Sequence, residues 1–251
     1  MKGFFSIGLL LFFLVATSFS LFTKKKNIWL IGDSTIAIKD TNKYPETGWG
    51  MPFVWFWDST IKVENRARNG RSTRSFREEG SWDPVQKNMQ EGDYVLIQFG
   101  HNDEVITKVA TYTTPEQFTA NLERYVAETR EKNAIPILIT PVARRRFDSV
   151  GKVIPSHSEY SALVRKVAEA KEVILIDLDT LTQALYQSWG KENSRWLFLQ
   201  LKPGEHPNYP DGRDDNTHFS ELGARLVAQI VLKELKEKCP ELATHVILPK
   251  K

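Results

Sequence analysis

Two short segments, far apart along the chain, hold residues suited to acyl transfer. Gly32-Asp33-Ser34-Thr35 follows directly on the apolar run Ile28-Trp29-Leu30-Ile31, and Asp215-Asn216-Thr217-His218 sets an acid three residues ahead of a histidine. A serine on a sharp turn at the mouth of a strand is exposed for attack. A histidine can take its proton, and a carboxylate can fix the histidine's tautomer and stabilise the imidazolium. The chain order is Ser…Asp…His, and the sequence contains no Gly-x-Ser-x-Gly, which argues against the nucleophile elbow of the α/β-hydrolases.

Either segment alone has an ordinary reading. Gly-Asp-Ser also suits a strand-to-helix turn in which Asp33 or Ser34 caps the next helix, and Asp-x-x-His suits a solvated loop. Two further segments strengthen the chemical reading, each just beyond an apolar run. Asn65–Ser72 follows Ile61–Val63, and its Gly70 lets the backbone approach a ligand and aim an N–H outward. Gln98-Phe99-Gly100-His101-Asn102-Asp103 closes the run that begins at Tyr94, and Asn102 brings an amide donor to the carboxyl edge of a sheet. The Ser34 N–H, the Gly70 N–H and Asn102 Nδ2 would together supply three donors for a developing oxyanion.

The elements needed to hold these turns are visible as alternating patterns. Apolar runs at Ile28–Ile31, Ile61–Val63, Tyr94–Phe99, Ile135–Thr140 and Val173–Ile176 read as five short buried strands. Helical spacing predicts helices over Pro115–Lys132, with Thr114 as N-cap and Pro115 at the first position, over Ser158–Lys171 and over Ser220–Lys238. On the last of these, Leu222, Leu226, Val227, Ile230 and Val231 mark the inner face. The alternation predicts a parallel sheet with helices on both faces. Lys191–Thr217, rich in Pro, Gly, Asn and Asp, reads as a long irregular stretch and a lip of the site.

The chain of 251 residues, with 41% hydrophobic and 26% charged residues, has the make-up of a globular protein, and residues 21–251 read as one domain without repeats. A net charge of +3 without a basic, aromatic-interleaved block gives no argument for nucleic acid. Residues 1–20 have a signal-peptide pattern: Lys2, an apolar run from Phe4 to Val15, then small residues at Ala16-Thr17-Ser18. Export to the periplasm or medium follows, with no stable membrane association after cleavage; an uncleaved anchor is the alternative. Cys239 is the single cysteine, so no intrachain disulfide forms.

Gly32-Asp33-Ser34, Gly70, Gly100-His101-Asn102-Asp103 and Asp215-x-x-His218 resemble the four blocks of the SGNH (GDSL-like) hydrolases, in order. Several longer stretches resemble the rhamnogalacturonan acetylesterases within them: Gly32–Ala37, Asn69–Phe76, Gln98–Asp103, Pro141–Arg145 and Asp215–Ala224. The resemblance implies a three-layer α/β/α sandwich with a five-stranded parallel sheet, and no metal or organic cofactor. It implies Ser34 as nucleophile, His218 as general base then acid, Asp215 as its partner, and Ser34, Gly70 and Asn102 as the oxyanion hole. The implied substrate is an acetylated pectic polysaccharide. Acetylated xylan, a lipase-like or thioesterase-like substrate, and a non-catalytic carbohydrate-binding role are the rivals. The oligomeric state is not fixed by the sequence.

Around these blocks, His101 is a candidate substrate contact or a structural hydrogen-bonding residue, and Asp103 a loop-bracing carboxylate. No His-Glu-x-x-His or Cys/His spacing points to a metal. His157 and His245 read as surface histidines. Arg71, Arg74, Arg77 and Arg144-Arg145-Arg146 form either a solvated face or a basic rim for a uronate polymer, with Arg71 and Arg74 the candidate contacts. Among the tryptophans, Trp49, Trp55, Trp57, Trp82, Trp189 and Trp196 are candidates for stacking on sugar rings.

Overall fold

A computed structural model describes residues 25–247, and the signal-peptide reading of residues 1–20 lies outside them. Strands β1 (Lys26–Gly32), β2 (Ile61–Asn65), β3 (Tyr94–Gln98), β4 (Ile135–Ile139) and β5 (Ile174–Ile176) form one parallel sheet in the order β2-β1-β3-β4-β5. β6 (Phe198–Leu201) and β7 (Arg213–Phe219) pair antiparallel as a separate ribbon. The helices are α1 (Gly50–Phe53), α2 (Ser75–Glu78), α3 (Asp83–Asn88), α4 (Pro115–Arg130), α5 (Ser158–Ala170), α6 (Leu178–Asn193), α7 (Glu221–Lys238) and α8 (Pro240–Ala243).

The near-continuous apolar strands are buried on both faces. Ile28 and Leu30 of β1 join a core with Trp49 and Phe53, Tyr186 of α6, and Val227 and Val231 of α7. Trp29 and Ile31, on the other face, join Val85 of α3, Phe118 and Leu122 of α4, and Val164 and Val167 of α5. This period-two division of one strand between two cores makes the three-layer α/β/α sandwich. All five strands lie where the apolar runs place them.

Helix α4 begins as its sequence predicts. Thr114 accepts a hydrogen bond from the Gln117 N–H while Gln117 accepts one from the Thr114 N–H, a reciprocal capping box with Pro115 following. In α7, Leu226, Val227, Ile230 and Val231 lie in or against the core as expected, and only Leu222 departs. The buried face runs through Gly223, Ala224, Val227, Ala228, Val231 and Leu235, and Leu222 is 43% exposed. Small residues face inward at the first turn because the backbone of Leu197 lies directly against Gly223.

Lys191–Thr217 is not irregular throughout. It holds the end of α6, a short 3-10 turn at Ser194–Leu197, and β6 with the start of β7. Turn-forming residues dominate its composition because they make the hairpin's long connection, residues 202–212.

Candidate active site

Strand order places the site. The chain passes from β1 to β2 on one side, then to β3 on the other, so the turns after β1 and β3 diverge at a topological switch point. Gly32 pairs in register with Gln98, so both turns leave the sheet at one level. Ser34 stands on the first turn and His101, Asn102 and Asp103 on the second.

The turn after β1 is braced from beneath. Trp49 Nε1 donates to Gln98 Oε1 (3.0 Å), Gln98 Nε2 donates to Thr35 Oγ1 (2.7 Å), and the Thr35 hydroxyl donates to Asp33 Oδ1 (2.8 Å). All four residues are buried. Burial pushes the Asp33 carboxyl up, against the Thr35 hydrogen bonds and the nearby Lys39 charge. Lys39 was not singled out from the sequence, and Gln98 and Trp49 were read there for other reasons than this bracing. A glutamine ending the otherwise apolar run of β3 is the signal that marks this network.

β7 supplies the other half. Asp215 Oδ1 accepts the Thr217 and His218 N–H groups (2.8 and 2.9 Å), which folds the segment back on its own carboxylate. Asp215 Oδ2 lies 2.9 Å from His218 Nδ1, and His218 Nε2 lies 2.9 Å from Ser34 Oγ. Burial alone would push the Asp215 carboxyl up. The His218 hydrogen bond and charge and the two backbone N–H groups outweigh it and hold Asp215 well below the usual carboxylate range. With Nδ1 protonated, Nε2 is free to accept the Ser34 proton.

Gly70 and Asn102 stand on two turns that are joined to each other. Gly70 has φ +74°, and a Cβ there would meet no atom within 4 Å, so backbone conformation rather than crowding calls for glycine. Asn102 Nδ2 donates one hydrogen to Arg71 O (3.0 Å), tying the two turns together and leaving the second amide hydrogen for a ligand. Asp103 braces as the sequence suggested. It is fully buried and accepts from the Thr73 N–H (2.9 Å), the Thr73 hydroxyl (2.6 Å) and the Thr113 hydroxyl (2.9 Å). Burial raises its pKa to about 7 despite these donors.

Several flanking residues depart from expectation. His101 is buried, its ring 4.3 Å from that of His157, and burial with that neighbour lowers its pKa well below the ordinary value. It does not face open solvent. His157 is itself buried, not a surface histidine, with Nδ1 2.8 Å from Glu104. Two of the expected rim arginines stitch β7 in place. Arg144 donates to Thr217 Oγ1, and Arg145 donates to Asn216 Oδ1 (2.9 Å) and Ser194 Oγ (3.0 Å). Arg71 pairs with Glu79 (2.5 Å) and Arg74 donates to Val109 O (2.6 Å), each keeping about a third of its side chain exposed. Of the tryptophans, Trp49, Trp57 and Trp82 are core residues, whereas Trp55 and Trp196 stand 74% and 69% exposed. Trp196 lines a cavity of about 810 Å³ together with Arg213 and Asp214.

Residues 30–226 match the model of the GDSL-like Lipase/Acylhydrolase family. The chain belongs to that family. It is accordingly a carboxylic ester hydrolase. It is 40% identical to rhamnogalacturonan acetylesterase RhgT of Bacillus subtilis over 224 residues, 89% of this chain and 95% of that protein. The B. subtilis protein named "Probable rhamnogalacturonan acetylesterase YesY" is 34% identical, over 88% of this chain and 97% of its own length. Among solved structures, B. subtilis YxiM superposes with a TM-score of 0.73 at 28% identity, over 85% of this chain and 56% of that one. The shared feature is the fold: a five-stranded parallel sheet with helices on both sides.

Proposed function

We propose that this hydrolase is an exported serine acetylesterase that deacetylates a pectic polysaccharide, with acetylated rhamnogalacturonan as its preferred polymer. The observation that carries the chemistry is the hydrogen-bonded line from Ser34 through His218 to Asp215 at the carboxyl edge of the sheet. The 40% identity to RhgT supports the substrate class.

Ser34 Oγ attacks the acetyl carbonyl as His218 Nε2 takes its proton. The tetrahedral oxyanion is met by the N–H groups of Ser34 and Gly70 and the free hydrogen of Asn102 Nδ2. Collapse expels the sugar hydroxyl, which leaves with the proton from His218. A water, deprotonated by the same imidazole, then attacks the acetyl-serine, and His218 returns the proton to Ser34 Oγ as acetate leaves. Asp215 holds the imidazole through both steps. Export rests on the pattern at residues 1–20, and N-terminal sequencing of the protein recovered from outside the cell tests it.

The substrate experiment compares acetate release from acetylated rhamnogalacturonan and acetylated xylan across ionic strength. The galacturonate polymer should be cleaved faster, and its advantage should shrink as salt screens exposed charges such as Arg71. A neutral chromogenic acetate should be almost insensitive to salt. Faster release from xylan, with one salt profile for both polymers, would reject the rhamnogalacturonan assignment.

A further inference from the structure

We infer that Lys39, joined to Glu46, is a positioning residue of this site: it pins the Ser34 turn to the Asn69-Gly70 turn and keeps the Glu46 carboxylate paired beside His218. The inference rests on the esterase reading above.

The Lys39 side chain is wholly enclosed, which is rare for lysine unless its charge is matched. Its ammonium has three hydrogens and three partners. It donates to the Ser34 carbonyl, to Asn69 Oδ1 (2.8 Å) and to Glu46 Oε1 (2.7 Å). Two of these partners are themselves in the proposed machinery or next to it: Ser34 is the proposed nucleophile, and Asn69 precedes the glycine whose N–H is a proposed oxyanion donor. One cation therefore fixes the spacing between two of the three donors. The third partner reaches the base. Glu46 Oε1 lies 3.9 Å from His218 Nε2, the nitrogen that faces Ser34 Oγ.

The other charged and titratable groups around the pair come from four elements. Tyr209, in the 202–212 connection, feels the Glu46 charge. Asp33 lies on the turn after β1, His101 on the turn after β3, and Asp215 with its neighbour Arg213 on β7. Asp33 and Asp215 remain in every variant below. Removing Lys39 alone leaves Glu46 as an additional unpaired anion near His218 Nε2. Such an anion favours the protonated imidazole and draws Nε2 from the serine.

The test reads both turnover and pH dependence with 4-nitrophenyl acetate. Lys39→Met should lower kcat roughly 10–100-fold through misplaced donors, with KM changed less than about threefold. It should also move the acidic limb of kcat/KM upward by about one pH unit. Glu46→Gln, which keeps an acceptor for Lys39, should move that limb downward. Lys39→Met/Glu46→Gln removes the buried pair together; it should return the limb close to the parent position while kcat stays low.

Folding of each variant is followed by circular dichroism. A folded Lys39→Met protein with parental kcat and limb overturns the inference. So does a Glu46→Gln limb that stays in place, which decides the matter even if Lys39→Met does not fold. A limb that is displaced in Lys39→Met and not restored in the double variant overturns it as well. The esterase reading is judged separately, by whether the parent hydrolyses the ester and Ser34→Ala abolishes that activity.

Discussion

The two halves of the site are held in different ways. Ser34, Gly70 and Asn102 stand on turns at the edge of the parallel sheet, and buried polar residues brace them from below: Gln98, Thr35, Lys39 and Asp103. Asp215 and His218 stand on an antiparallel ribbon outside that sheet, and His218 keeps 26% of its side chain exposed. Local bonds from Asp215 to its own neighbours and two arginines from the segment after β4 secure this ribbon. The sheet side is preorganised by burial, where an unmade hydrogen bond is expensive. The ribbon side is preorganised by short-range geometry. Perturbing each side in turn separates chemistry from scaffolding.

The largest effect should come where the halves meet. Ser34→Ala or His218→Ala should lower kcat by several orders of magnitude with the melting temperature nearly unchanged, because the proposed nucleophile or base is lost and the braces remain. Steady-state kinetics with a chromogenic acetate, beside thermal melts, reads both. Retained turnover in either variant would place the chemistry elsewhere.

Asp215→Asn cuts the ribbon side alone. The proposed nucleophile and base both survive, so the loss should be about 10²–10⁴ in kcat, set by the imidazole's tautomer and orientation. The amide also gives up the charge that accepts the two backbone N–H groups, so a lower melting temperature should accompany it. A loss confined to KM would make the segment a binding element.

Asn102→Ala cuts one donor on the sheet side and should cost about 10²–10³ in kcat. Its tie to Arg71 O disappears too, but the neighbouring Asp103 contacts persist. Near-parental turnover would remove Asn102 from the oxyanion hole.

The smallest effect concerns the sheet side's bracing and shows in stability. Asp103 keeps its proton up to about 7 in the folded protein. In the unfolded chain it ionises near the ordinary value of about 3.9. The folded state therefore holds the extra proton between these values, and the stability due to it is lost as pH rises from about 4 through about 7. Melting temperature measured across that range should show this decline superposed on other titrations. Asp103→Asn should flatten it, and an unchanged slope would mean that the carboxyl is already ionised in the folded state.

Much of the site was legible because each part leaves a local trace. A serine after an apolar run, a glycine and an asparagine after two others, and an acid three residues before a histidine can all be read without coordinates. The five strands were legible for a similar reason: burial on both faces demands continuous apolar runs. The hairpin was not, because β7 is polar and half-exposed, and its residues Arg213-Asp214-Asp215-Asn216 carry no strand pattern. Its extended form comes from pairing with β6 and from the arginines that grip it.

The sequence by itself determined the fold class and the residue types available for acyl transfer, since strand runs, helix caps and turn residues act over a few positions. Only the tertiary structure decided which polar residues work together. That Arg144 and Arg145 hold β7, that His101 and His157 are buried against each other, and that Lys39 meets Ser34, Asn69 and Glu46 depend on groups far apart in the chain. A charged side chain looks alike in sequence whether water or a buried partner meets its charge, and packing alone decides between them.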